Sequence, residues 1–140
     1  MSQFTLDITP LKNSINALEK SITVYGENSS GGDIDLKNTL RSGVIQNFET
    51  AYELCWKFMK RWLEINVAPD IVIGVTRREF YRIACENRLI SNVGEWWDFH
   101  DARNRTAHVY SAKTAEDVFN AAVKFIAPAK RFAADLEKKI

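Results

Sequence analysis

A chain of 140 residues, 46% of them hydrophobic, is long enough to bury one core and predicts a single domain over residues 1–140. A formal net charge of +1 excludes a protein that coats nucleic acid in bulk, so any nucleic-acid role must be local. Six glycines and three prolines argue against an all-β fold, and Cys55 and Cys85, outside any metal spacing, read as small hydrophobes of a reducing compartment.

Met1 to Asp7 has neither a basic start nor a long apolar run, so no leader is expected there. Thr9-Pro10 reads as the N-cap and first residue of a helix whose apolar face is Leu11, Ile15, Leu18, Ile22 and Tyr25. Gly26 is expected to stop it, opening a polar loop to Asp33. A second helix is expected from Leu36 to Glu64. Its main stripe is Leu40, Val44, Phe48, Ala51, Cys55, Met59 and Trp62, widened by Ile45, Tyr52, Trp56 and Leu63. So wide a stripe is buried on more than one side. Asn66 to Val75 is a connection; Ile71-Val72-Ile73 has strand character but nothing to pair with.

Thr76-Arg77-Arg78-Glu79 is a capping box for a third, short helix to Glu86, with Phe80, Ile83 and Ala84 inward. Asn87 to Ser91 is a turn, and Ser91 or Asn92 caps a fourth helix. Trp96, Trp97 and Phe99 on it read as core or dimer contacts rather than base-stacking platforms, and His100 beside them as structural. A break over Ser111 to Thr114 precedes a fifth helix, with Val118, Phe119, Ala122, Phe125 and Ile126 apolar and a kink expected at Pro128. Four long helices and a short one predict an all-α, antiparallel up-and-down bundle. No apolar run approaches the roughly 18 residues of a membrane span. The expectation is a cytoplasmic protein without membrane contact.

The chemistry concentrates in Asp101-Ala102-Arg103-Asn104-Arg105-Thr106-Ala107-His108-Val109-Tyr110. Arginine offers a permanently charged fork for phosphate, histidine exchanges a proton near neutral pH, and tyrosine offers a hydroxyl on a ring. Five residues along an ideal helix, Arg103 and His108 point about 140° apart. They converge only if the helix ends or distorts near Thr106, or if a second chain contributes. Asp101 either pairs with Arg105, four residues on, or orients Arg103 or His108. Asn104 either bonds His108 or faces solvent. Arg77, Arg78, Arg82 and Arg88 form a solvated face, with guidance of RNA or of an acidic partner as a secondary role.

The spacing R-x4-H-x-Y, with Ile45-Gln46-Asn47-Phe48-Glu49 and Glu53-Leu54-Cys55-Trp56-Lys57 upstream and Thr114-Ala115-Glu116 downstream, resembles the HEPN superfamily. It is most similar to the HEPN member of MNT–HEPN toxin–antitoxin pairs, earlier described as nucleotidyltransferase substrate-binding proteins. The resemblance covers Leu36 to the C-terminus. It implies a homodimeric, metal-independent endoribonuclease toxin leaving a cyclic phosphate, with Arg103 and His108 catalytic at a composite dimer site. Asp101, Asn104 and Arg105 would support them. Tyr110 would be either a boundary residue or, as the resemblance implies, the acceptor of AMP from a partner MNT-type nucleotidyltransferase. No cofactor or metal is expected. The chain lacks a G-S-x-D motif and a P-loop, so nucleotidyl transfer would lie on the partner. The alternative is a non-catalytic subunit that binds a nucleotide or substrate for that nucleotidyltransferase. A plain oligomerisation domain ranks last.

Overall fold

The structure is a computed structural model that describes residues 6–140; the stretch read for a leader falls mostly on residues 1–5, outside them. Its helices are α1 (Thr9–Asn28), α2 (Ile34–Asn66), α3 (Arg77–Glu86), α4 (Val93–Arg105) and α5 (Ala112–Lys139), with a 3-10 turn at Thr106–His108 between the last two. The described residues contain no strand, and Ile71-Val72-Ile73 lies in turns. None of the helices is long and apolar enough to cross a membrane.

Ion pairs reveal the directions. Lys12 meets Glu137 at 2.7 Å and Glu19 meets Lys130 at 2.6 Å, so α1 ascends as α5 descends. Arg105 meets Asp117 while Phe99 packs on Phe125 and Trp96 on Phe132, so α4 runs against α5. The short loop between α1 and α2 turns the chain back. α3 fills the crossover from α2 to α4. The result is the expected up-and-down bundle with a short extra helix.

The long helices share one core. Leu11, Ile15 and Leu18 of α1, and Val44, Phe48, Ala51, Tyr52, Cys55, Met59 and Leu63 of α2, are buried there. Phe125 is its centre, with ring centroids 5.3 Å from Phe48, 5.5 Å from Trp96 and 5.0 Å from Phe99. Burial pushes the Cys55 thiol far above its ordinary range, as befits a core hydrophobe.

Some boundaries and one buried face differ from the expectation. Thr9 is the first helical residue, not the cap; the Asp7 carboxylate accepts from its N–H at 3.0 Å. Gly26 does not stop α1. The helix continues to Asn28, where Tyr25 packs on Phe119 at 4.5 Å and the Asn28 amide bonds the Val24 carbonyl. One glycine costs only about 1 kcal/mol in a helix, which such contacts offset. Tyr81 is buried on α3 where Ile83 is only half-buried. Finally, α5 starts at Ala112 because Ser111 caps it, and its helical run passes through the buried Pro128.

Candidate functional site

Asn92 caps α4 by accepting from the Glu95 N–H at 3.0 Å, which fixes the phase of the helix carrying the motif. Trp96, Phe99 and Ala102 anchor it to the core. The helix ends at Arg105 and tightens into the 3-10 turn Thr106–His108. Thr106 makes that turn: nearly buried, it donates its hydroxyl to the Arg103 carbonyl at 2.7 Å. The helical phase separating Arg103 from His108 is therefore broken inside the motif. Beyond the break His108 is exposed, its ring 6.2 Å from that of Tyr110, which is 89% exposed.

Arg103 is held from three sides. Its Nε donates to Glu53 at 3.1 Å, its Nη1 to Thr106 Oγ1 at 3.2 Å, and Glu49 stands 3.5 Å from Nη1. Glu49 and Glu53 lie one turn apart on α2, the two acids facing the motif. Neither was singled out as a site residue from the sequence. The available signal was a pair of carboxylates one turn apart within an otherwise apolar stripe. The guanidinium is thus oriented while 30% of the side chain stays accessible. An oriented cation can bind a phosphodiester and an accessible imidazole can move a proton on it; within one chain Arg103 contacts Glu49, Glu53 and Thr106, and the His108 ring lies by Tyr110.

A buried polar network backs this surface. Tyr52 Oη contacts Tyr81 Oη, accepts from Arg77 Nη1 at 3.0 Å and lies 3.0 Å from His100 Nδ1. His100 Nε2 lies 3.2 Å from the Asn104 amide nitrogen. A neutral His100 can donate from Nδ1 to Tyr52 and accept from the Asn104 amide, while either tyrosine hydroxyl can donate to the other. Burial pushes the Tyr52 and Tyr81 hydroxyls above their ordinary range, Tyr52 adding to the effect at Tyr81. Burial, and then the Arg77 charge, lowers the His100 pKa from 6.5. His100 is structural, as the sequence suggested, but its polar partners were not foreseen.

Three supporting residues sit elsewhere than expected. Arg105 pairs with Asp117 of α5 at 3.0 Å, not with Asp101, because the end of α4 faces the start of α5. That hydrogen bond holds the Asp117 carboxyl below its usual range. Asn104 bonds His100, one turn back, rather than His108. Asp101 is exposed, and its charge acts on His100, raising the tendency to protonate against the effect of burial. A cleft of about 650 Å³ between the start of α4 and α5 is lined in part by Asp98 and by Asp117, the partner of Arg105.

The family model described as "Nucleotidyltransferase substrate binding protein like" matches residues 6–138, all five helices and the motif included. The chain belongs to this family. A family relative from Haemophilus influenzae, "Probable ribonuclease HepT", is 35% identical over 85 residues, which cover 60% of this chain and 58% of that protein. The chain thus spans less than two thirds of that relative's length. A solved Haemophilus influenzae structure, described as revealing the fold of a substrate binding domain of a nucleotidyltransferase, superposes with a TM-score of 0.85. It is 26% identical, with 94% of this chain and 99% of that one covered.

Proposed function

We propose that this chain is a HEPN-type, metal-independent endoribonuclease, the toxin of a pair whose antitoxin is an MNT-type nucleotidyltransferase. The observation that supports it most is the break at Thr106. It leaves a clamped Arg103 on one side and exposed His108 and Tyr110 on the other. Likeness to a protein named as a ribonuclease supports the same reading.

In this mechanism a ribose 2′-oxygen attacks the adjacent phosphorus, the bond to the 5′-oxygen breaks, and a 2′,3′-cyclic phosphate remains. His108 takes the 2′-proton or protonates the departing 5′-oxygen, and Arg103 stabilises charge on the phosphate. One histidine cannot serve both roles at once. His100, eight residues earlier on α4, is committed to Tyr52 and Asn104. A homodimer with a two-fold axis near the motif supplies the second His108. Tyr110, the most accessible large side chain of the motif, takes AMP from the partner nucleotidyltransferase. The added bulk and negative charge beside His108 repel RNA.

The test is cleavage of RNA by purified protein in excess EDTA, with mapping of the new ends. Wild type should leave cyclic phosphate ends, and His108→Ala should cleave slower by on the order of a hundred- to ten-thousandfold. Tyr110→Phe should still cleave RNA but take up no AMP, as read by mass.

The family description and the solved relative's title favour a second reading, a nucleotide-binding subunit without cleavage of its own. It gains if wild type, shown by mass to carry no AMP, leaves RNA intact and binds nucleotide in a way that Arg103→Ala weakens.

A further inference from the structure

Trp96 lies in the core, and Trp56 and Trp62 pack against it; among the described residues Trp97 does neither. It is half-buried on α4, and its ring contacts are polar. The Arg78 guanidinium lies over it at 4.8 Å, and the His100 ring is 5.6 Å away. From His100 the chain of contacts continues to the Asn104 amide at 3.2 Å, beside Arg103. Trp97 and Asn104 are seven residues apart, two turns along one face and about 10 Å of rise. The preceding residue of α3, Arg77, repeats the arrangement against α2, lying over Trp56 at 4.2 Å and donating to Tyr52.

We propose that Trp97 and Arg78 form a stacking platform for a base of single-stranded RNA flanking the scissile phosphate. The proposal rests on the ribonuclease reading and extends it to how the strand is held. With Trp97 half-buried beneath it, the exposed Arg78 guanidinium offers a base a plane to stack on, and its charge meets the backbone phosphate. Stacking of this kind tolerates any base, which suits a site with no built base-reading pocket. An aromatic ring kept out of the core, capped by the Arg78 guanidinium and linked through His100 to the motif, has the chemistry of a nucleic-acid contact. A second copy of this chain would instead ask for an apolar cover. The sequence favoured a core or dimer role for all of Trp96, Trp97 and Phe99; that holds in the core for Trp96 and Phe99.

The experiment measures binding of a fluorescent all-2′-deoxy oligonucleotide, which lacks the attacking hydroxyl, by anisotropy, and cleavage of the matching RNA. Trp97→Ala should weaken binding about tenfold and raise KM by a similar factor with kcat kept, Trp97→Phe should lose less, and Arg78→Ala should steepen the loss. Equal affinity of Trp97→Ala and wild type overturns the platform, as does a wild type that binds no oligonucleotide. So does a Trp97→Ala protein that turns monomeric in light scattering where wild type is a dimer, since a second copy then covers the ring. Cleavage of a dinucleotide by wild type separates the two ideas. If the dinucleotide is cut and Trp97 is irrelevant, only the platform fails. If nothing is cut but binding depends on Trp97, the platform stands and the ribonuclease reading fails.

Discussion

The Nε–H of Arg103 donates to Glu53 at 3.1 Å, so its guanidinium is held in one orientation. Removing that carboxylate should disturb cleavage more than folding. Glu53→Ala is expected to lower kcat/KM for RNA about tenfold while changing stability by less than about 1 kcal/mol, since the pair is solvent-accessible. Glu53→Gln, which keeps an acceptor, should fall between; kinetics paired with urea unfolding checks both. His100 sets a pH limit. Its folded pKa lies below 6.5 because burial and Arg77 oppose its charge, so the unfolded chain binds more protons in that window. Stability is therefore full above pH 6.5 and falls as pH drops through the folded value, where a second ring N–H would confront the Asn104 amide. Urea midpoints at neutral and mildly acidic pH should show this loss in wild type and less of it in His100→Gln. The residues of the motif were legible in the sequence; their partners were not. Arg105 finds Asp117, and Tyr52 finds Tyr81 and His100, across three different helices that no local spacing relates.

At the scale of elements, periodicity carried the reading of α2 and α5, whose apolar positions recur often enough to outweigh any single residue. Phe125 shows why these helices hold together, since from α5 it touches Phe48 and Tyr52 of α2 and Trp96 and Phe99 of α4. Phe125→Ala should cost about 3–5 kcal/mol and lower the urea midpoint with the slope unchanged. The ends of α1 and α5 were misread where a local signal was weaker than packing or a side-chain cap. Gly26 is overridden by Tyr25 on Phe119, and Ser111 starts α5 ahead of Thr114 by accepting from its N–H. The Thr76 box, by contrast, acts as its sequence indicates, its hydroxyl accepting from the Glu79 N–H at 3.1 Å. The helix of the motif ends at Thr106, one of the two conditions its spacing set, but the hydroxyl that bonds the Arg103 carbonyl and guanidinium there is visible only in the fold.

For the whole molecule, the bundle sets one end of α4 against α2 and α5 and leaves the exposed turn of the motif free to meet a second copy. A site made by two chains has a consequence that a site within one chain lacks. Wild type and His108→Ala, unfolded and refolded together, form mixed dimers that keep one His108, which cannot serve as base and acid at once. RNA cleavage by such mixtures in EDTA is the most direct test of a composite ribonuclease site. The account predicts activity that falls with the square of the wild-type fraction, as the share of dimers carrying two copies of His108 does. Activity that falls in simple proportion to the wild-type fraction, from mixtures that are dimeric and folded, would contradict it.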